Sequence, residues 1–231
     1  MSRLYDLGVG VVRGLYDLRI HAPAHLNAEV EFPEGRRFAD QWPRLRAEAG
    51  GVMCRLQRIP RFHELMEAQI DISANDGRDW RMFVLKAYGV LIAPNLAACP
   101  TLATLLDRTP QVLSACLSFV APGKHIPVHR GPFRGVLRFH LGLIVPPDAD
   151  GRPGTVLWVN GVAHRIGEGD TLLWDDTYPH ELHNASDGVR VALLLDVWRP
   201  HMPADMQWLT RAITLIARAA VRWRHRAFAV S

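Results

Sequence analysis

The chain has 231 residues, of which 48% are hydrophobic and 22% are charged, so it can bury a core and is not an intrinsically disordered protein. Its formal net charge of +4 favours anionic partners, a membrane surface among them. The three cysteines are dispersed, which argues against a disulfide framework and favours a reducing cytoplasm. No apolar run reaches the roughly 18 residues of a membrane-spanning helix, and the N-terminus lacks a signal-peptide cleavage pattern. We therefore expect a cytoplasmic protein, at most peripheral on the inner face of the cell membrane.

The N-terminal part of the chain is predicted to be mainly helical. Residues 1–33 are predicted to form a short amphipathic arm, although Gly8, Gly10 and Gly14 weaken any helix there. Residues 34–70 form a charged segment that is also predicted to be helical. Residues 80–93 predict a strand, and residues 100–107 predict a short helix.

The pattern changes at about residue 115 and remains the same to about residue 200. Short apolar segments alternate there with turns rich in Pro, Gly, Asp and Asn. Close spacing of this kind is typical of an all-β sandwich or barrel. The sequence therefore predicts a mainly β fold with helices at both ends.

Residues 204–231 predict a basic amphipathic helix with an apolar stripe on one face and arginines on the other. The stripe consists of Leu209, Ile213, Ile216, Ala220 and Trp223. The arginines are Arg211, Arg218 and Arg222. Two interpretations remain open: the helix docks on the β-core with a solvated basic back, or it lies on an anionic inner-membrane surface.

Histidines and arginines interrupt several of the apolar strands. His129 and His180 stand at strand ends that a jelly roll can bring together, although two imidazoles suit Fe, Zn, Cu or Ni alike. Arg138 and His140 lie two apart on one strand, so they share a face. Arg190 begins an apolar strand.

A buried arginine needs an anionic partner, and its fork suits a carboxylate. Asp175, Asp176 and Asp196 are candidate partners within the chain. A dicarboxylate from outside the chain is the alternative. Asp175 or Asp176 could instead orient His180.

Five segments carry a family resemblance. They are IPRFHEL at 59–65, W-x-x-F-x-L at 80–85, SFVAPGKHIPVHRGPFRGVLRFHLGL from 118, EGDTLLWDDTYPHE from 168 and RVALLLDVWRP at 190–200. Together they resemble the aspartyl/asparaginyl β-hydroxylase family of Fe(II)- and 2-oxoglutarate-dependent oxygenases, and within it the bacterial lipid A hydroxylase branch. The resemblance implies an oxygenase domain over 34–203 with a double-stranded β-helix core, jelly-roll or cupin-like, from about 115 to 200.

The resemblance also implies roles for individual residues. His129 and His180 would ligate Fe(II), and Arg190 would pair with the distal carboxylate of the cosubstrate 2-oxoglutarate. The residues that would help to hold the cosubstrate are Ser118, Arg138 and His140. Gly131 stands where the usual facial triad has its carboxylate, a departure that is typical of this family. Consumption of O2 would then give succinate, CO2 and a hydroxylated C–H bond.

The implied substrate is a small molecule or, more specifically, a fatty-acyl chain of a membrane lipid of the lipid A or ornithine-lipid type. Such a substrate agrees with peripheral contact between the C-terminal helix and an anionic membrane. One alternative is β-hydroxylation of an amino acid or of an Asp or Asn residue in a peptide. Another is a non-catalytic cupin-type module that binds a small acid. Nucleic-acid binding by the arginine-rich tail leaves Arg138 and Arg190 unexplained, so we expect no nucleic-acid partner.

Overall fold

The computed structural model describes residues 2–230, except for the side chains of residues 2–6, 225 and 226. The helices are α1 (Ser2–Arg19), α2 (Ala28–Glu31), α3 (Gly35–Ala39), α4 (Trp42–Met53), α5 (Phe62–Leu65), α6 (Ile70–Ser73), α7 (Ala93–Ala97), α8 (Pro100–Asp107) and α9 (Ala204–Arg224). The strands are β1 (His25–Leu26), β2 (Trp80–Ala87), β3 (Val90–Leu91), β4 (Val112–Val120), β5 (His125–His129), β6 (Val136–Ile144), β7 (Thr155–Val159), β8 (Val162–His164), β9 (Thr171–Trp174), β10 (His180–Asn184) and β11 (Arg190–Trp198).

The strands form two antiparallel sheets that face each other. The larger sheet has the order β1-β9-β6-β11-β4-β2-β3, and the smaller has the order β5-β10-β7-β8. Strands β4 to β11 alternate between the two sheets, except that β7 and β8 form a hairpin in the smaller one, in the manner of an eight-stranded jelly roll, and β1, β2 and β3 extend the larger sheet at its edges. The predicted mainly β, jelly-roll fold with a C-terminal helix is therefore confirmed.

The two faces of the larger sheet pack against different parts of the protein, because successive side chains of a strand point to opposite faces. One face packs against α3, α4 and α8 and forms the main hydrophobic core. Its members include Phe38, Leu45, Leu102, Phe83, Leu117, Phe139 and Leu193. The other face turns toward the smaller sheet, where a second cluster includes Trp80, Trp174, Leu157 and Leu182. Four polar residues of the candidate site, Ser118, Arg138, His140 and Arg190, lie on this second face, and the smaller sheet contributes His129 and His180.

Three local features of the N-terminal half differ from the sequence-based expectations. The predicted strand at 80–93 is two strands, because the chain turns at Tyr88 and Gly89, which have φ angles of 45° and 83°. The predicted arm over 1–33 includes β1, which pairs with β9 at the sheet edge. Helix α1 continues through its three glycines. The predicted helix at 100–107 is α8, as expected.

Helix α9 docks on the body of the protein through only part of the predicted apolar stripe. Its buried residues are Met206, Thr210, Thr214 and Val221. Leu209 and Ile213 of the stripe pack against the same cluster as Met206, whereas Ile216 and Trp223 are exposed. Arg218 donates to the carbonyl oxygen of Tyr88 at 2.9 Å. The two threonines can be buried because their hydroxyls donate to backbone carbonyls one turn earlier, at 2.8 and 2.7 Å. The helix ends at Arg224, and residues 1 and 231 of the predicted end segments lie outside the described residues.

Within residues 2–230, none of the helices combines the length and the hydropathy that a membrane span requires.

Gly142 in β6 allows a close backbone approach, and this contact is a test of the fold. A Cβ at this position would lie 2.0 Å from the carbonyl oxygen of Gly167. We expect Gly142→Ala to lower the free energy of unfolding by about 1–3 kcal/mol, since the backbone must move to relieve the overlap. Chemical denaturation measures the change.

Gly51→Ala in α4 is the matched control, since its Cβ would meet nothing within 4 Å. Helix propensity should make this variant more stable by up to about 1 kcal/mol. Equal stability of wild type and Gly142→Ala would contradict the described approach of β6 to the 167–170 turn.

Candidate active site

His129 and His180 lie side by side on neighbouring strands. They are direct partners in the antiparallel pairing of β5 with β10, and their ring centroids are 4.0 Å apart. The Nδ1–H of His129 donates to the carbonyl of Pro127 at 2.8 Å, and the Nδ1–H of His180 donates to that of Tyr178 at 2.9 Å. These bonds fix the tautomer of both rings and leave each Nε2 lone pair for a ligand.

Burial keeps both imidazoles neutral. It lowers the pKa of His129 to about 4, and burial together with the neighbouring His129 ring lowers the pKa of His180 well below its usual value. A metal ligand must be an unprotonated imidazole, so the donor set fits a transition metal ion. No cluster of three or more His, Cys, Asp or Glu side chains suited to a metal ion occurs in the described part of the chain.

Asp176 occupies the space beside Gly131. A Cβ at position 131 would lie 2.1 Å from the Oδ1 atom of Asp176, so only glycine fits there. The Gly131 N–H donates to the backbone carbonyl of Asp176 at 2.6 Å, which holds the two segments together. Burial, with the nearby carboxylates of Asp196 and Asp175, raises the pKa of Asp176 to about 6 against the attraction of Arg138. A buried carboxylate therefore lies beside the histidine pair, contributed by residue 176 and not by residue 131.

Arg190 is a buried guanidinium that lacks a carboxylate partner. It is only 2% exposed, and among the described residues no Asp or Glu lies within ion-pair distance of it. Its Nη2 donates to the Nε2 atom of His140, and its Nε finds no hydrogen-bond acceptor in the described structure. Burial lowers the pKa of Arg190 to about 9. The group is thus prepared for an anion that the chain does not provide.

Arg138 forms ion pairs with two carboxylates of the chain. Its guanidinium contacts Asp196 at 2.9 Å and Asp176 at 3.1 Å. Because Asp196 is the direct cross-strand neighbour of Arg138 in the pairing of β6 with β11, the register alone brings the pair together. Arg138 therefore fixes two carboxylates at the site, in addition to lining it.

Neither Asp175 nor Asp176 orients His180 through its carboxylate, which corrects one sequence-based suggestion. Asp175 binds Arg134 at 3.0 Å and also forms an ion pair with Arg199. The carboxylate of Asp176 is bound by Arg138. The backbone carbonyl of Tyr178 performs the orienting role instead.

One small cavity of about 40 Å³ brings together every site residue that the sequence indicated. These residues are Ser118, His129, Arg138, His140, His180 and Arg190. The remainder of its wall is mainly apolar, and Trp80 closes it by donating its indole N–H to Ser118 Oγ at 3.0 Å.

A second cavity of about 230 Å³ meets the first at the histidine pair. It follows the alternate residues Met82, Val84 and Lys86 of β2 away from Trp80, a distance of roughly 20 Å for six residues of strand. Its far wall includes Val221 of α9 and Phe228. The site thus has a small compartment that contains Arg190 and a long, mainly apolar compartment, joined at His129 and His180.

Sequence reasoning missed part of this wall. Trp80 and Trp174 are buried, and both line the small cavity. Trp80 stacks on Phe62 with ring centroids 3.9 Å apart, and Trp174 meets the His180 ring edge-on at 4.7 Å. Both tryptophans follow the apolar alternation of their own strands, so the sequence offered no local signal for this role. His125 pairs with Glu181 outside both cavities.

Comparison with known proteins gives the chain a family. The family model for aspartyl/asparaginyl β-hydroxylase matches residues 39–200. An ornithine lipid ester-linked acyl 2-hydroxylase of Rhizobium tropici is 38% identical over 169 residues, which cover 73% of this chain and 58% of that protein. Aspartate β-hydroxylase domain-containing protein 2 of Homo sapiens is 33% identical over 54% of this chain and 35% of its own length. The human aspartyl/asparaginyl β-hydroxylase is 28% identical over 57% of this chain and 17% of its own length.

The matched region therefore spans little more than half of the Rhizobium protein and a smaller share of the human ones. The family match itself extends from the end of α3 to just after β11, so it includes the small cavity and the histidine pair, whereas Val221 and Phe228 of the larger cavity lie outside it. On this match, the chain belongs to the aspartyl/asparaginyl β-hydroxylase family.

Proposed function

We propose that this protein is an Fe(II)- and 2-oxoglutarate-dependent dioxygenase that hydroxylates an unactivated C–H bond in a fatty-acyl chain of a membrane lipid. The observation that carries the proposal is Arg190. Its buried guanidinium, without a carboxylate partner in the described chain, lines a small cavity that the histidine pair also lines. A dicarboxylate that reaches from Arg190 to a metal ion on His129 and His180 would satisfy both groups.

The two histidines would hold the metal through their Nε2 atoms, since their Nδ1 atoms are committed to backbone carbonyls. Bound Fe(II), with 2-oxoglutarate and O2, supplies the oxidising power that no amino-acid side chain has, and succinate and CO2 are the co-products. Only two protein ligands are proposed, so much of the coordination shell remains for the cosubstrate and O2.

The chain's own residues bind and orient the cosubstrate and keep the compartment dry. Arg190 would neutralise the distal carboxylate of 2-oxoglutarate, and its hydrogen bond to His140 fixes the direction of the fork. Burial holds His140 neutral, because its pKa lies well below the usual value. Ser118, held by Trp80, presents a hydroxyl to the same compartment.

The larger cavity supports the acyl-chain substrate. Its lining is dominated by apolar residues along β2 and beneath α9, and two of its acidic residues, Asp176 and Asp196, are bound by Arg138. An Asp or Asn side chain in a peptide would require further polar partners, whereas an acyl chain needs only apolar contact. The name of the Rhizobium relative, an acyl 2-hydroxylase of a lipid, supports the same substrate class. A lipid substrate also implies that the protein works at a membrane surface.

Removal of either histidine tests the chemistry. We expect His129→Ala and His180→Ala to abolish 2-oxoglutarate-dependent succinate formation, because each variant loses one of the two protein ligands. His125→Ala is the matched control, since this histidine lies on the same strand as His129 but outside both cavities. Full activity of either ligand variant would refute the metal assignment.

The same variants test the substrate class in cells. Mass spectrometry of total lipids should detect species that gain one oxygen in cells with the wild type or His125→Ala, and not in cells with His180→Ala. Identical lipid profiles, together with succinate formation by the purified wild type, would exclude the acyl-lipid substrate and leave the oxygenase chemistry standing.

Arg190→Met tests the anion site separately from turnover. At a 2-oxoglutarate concentration of about 100 times its Kd, binding should stabilise the metal-loaded wild type by about 2.7 kcal/mol. We expect Arg190→Met to lose nearly all of this stabilisation, and Arg190→Lys to keep a part, since lysine retains the charge but lacks the fork. Thermal unfolding with and without 2-oxoglutarate measures both. The same stabilisation in Arg190→Met as in the wild type would remove Arg190 from the cosubstrate site.

A further inference from the structure

Helix α9 carries an apolar stripe on the side that faces solvent. Its members are Trp208, Ala212, Leu215, Ile216, Ala219 and Trp223, which share one side of the helix at spacings of 4, 3, 1, 3 and 4 residues. The four large side chains in this set are between 65% and 92% exposed. The opposite side, which is buried, contains two threonines. The docked side also carries Met206, Ile213 and Val221, so α9 has apolar side chains on both sides, whereas a surface helix usually has them only on the side that faces the core.

Helix α1 repeats the arrangement next to α9. Its outward stripe is Leu7, Val11, Leu15 and Leu18, which are between 45% and 75% exposed. The two helices run antiparallel, since Tyr16 bonds to Thr210 at 2.6 Å and Arg19 pairs with Asp205 at 2.8 Å. Both also bury their inner faces in one cluster, to which Tyr16 and Met206 belong. Both helices thus carry exposed apolar stripes outside this shared cluster, and we name the two stripes together the α1/α9 face.

The positive charge around the α1/α9 face favours an anionic partner. Helix α9 carries four arginines and one aspartate. Arg211 lies over the rings of Trp198 and Trp208, so this cation stands beside the apolar stripe. A second copy of the chain would bring the same positive charge to the contact, whereas anionic lipid headgroups would be attracted. Tryptophans beside arginines on an exposed apolar helix are typical of helices that lie in the membrane interface.

The larger cavity reaches the same region of the molecule. Val221 and Phe228, in α9 and just after it, line the cavity on the inner side of the helix, while Trp223 stands out from its outer side. The opposite wall includes Met66, which is 40% exposed, and Ile70 nearby is 48% exposed. A protein that rests on α9 would thus hold the apolar compartment close to the lipid.

We infer that the α1/α9 face is a monotopic docking surface for an anionic lipid bilayer, and that it places the larger cavity where an acyl chain can enter from the membrane. The entry of a substrate by this route rests on the proposed function, whereas the docking itself does not. Arginines would meet the headgroups, and Trp208, Leu215, Ile216 and Trp223 would enter the boundary of the acyl region.

Vesicle binding by the full-length protein tests the inference. We expect the wild type to co-sediment with vesicles that contain phosphatidylglycerol, and to bind much less to vesicles of phosphatidylcholine alone. The variant Ile216→Ser/Trp223→Ser should lower the partition onto the anionic vesicles by at least about tenfold, since two large apolar side chains no longer enter the interface. The matched control is Val30→Ser/Val162→Ser, which removes two exposed apolar side chains from α2 and β8 and should bind as the wild type does.

Three results would overturn the inference: no binding of the wild type to anionic vesicles, equal binding of Ile216→Ser/Trp223→Ser, or a dimer of the wild type that this variant dissociates while neither protein binds vesicles. Because sedimentation needs no turnover, it separates docking from the proposed function. Neither substituted side chain lines a cavity, so Ile216→Ser/Trp223→Ser should retain succinate formation with detergent-dispersed lipid and lose it with vesicles. Loss of activity on both substrates would contradict the entry route.

Discussion

The burial of Arg190 is the constraint around which the site is built. Removal of a guanidinium from water costs several kcal/mol unless an anion compensates, and the described part of the chain supplies no carboxylate. The fold tolerates this free-energy cost because β11 is the middle strand of the larger sheet, paired with β4 on one side and with β6 on the other. A strand fixed on both edges cannot turn its first side chain toward solvent. The fold thus keeps the Arg190 guanidinium beside the small cavity, and this burial lowers the stability of the protein.

The two-faced sheet explains how a chain of this size accommodates a site of this kind. The hydrophobic core on the helical side fixes the strands, so the opposite face can hold polar residues without loss of the fold. The smaller sheet then adds the histidine pair across the gap, where the direct pairing of β5 with β10 sets their separation. The proposed metal ligands and the proposed anion site therefore come from different sheets, and both line the small cavity.

Closely spaced apolar segments with turn residues mark a β sandwich or barrel, and charged residues on apolar strands mark a candidate site. The jelly-roll core and the role of Ser118 were implied by the family resemblance. Strand register leaves no such mark, so the pairing of Arg138 with Asp196 could not be predicted. The docking face of α9 could not be predicted either. Thr210 and Thr214 are polar residues, but their hydroxyls bond to the helix backbone, so both side chains can pack inward. The same inward packing leaves Trp208, Leu215, Ile216 and Trp223 in solvent.

The most direct measurement is a crystal structure of the protein grown without O2, with Fe(II) and 2-oxoglutarate. The account predicts anomalous scattering from iron about 2.1 Å from the Nε2 atoms of His129 and His180, the distance usual for a metal–imidazole bond. It also predicts the distal carboxylate of 2-oxoglutarate on the guanidinium of Arg190, with the larger cavity left free for the substrate. Iron bound elsewhere, or a cosubstrate that does not reach Arg190, would contradict the account.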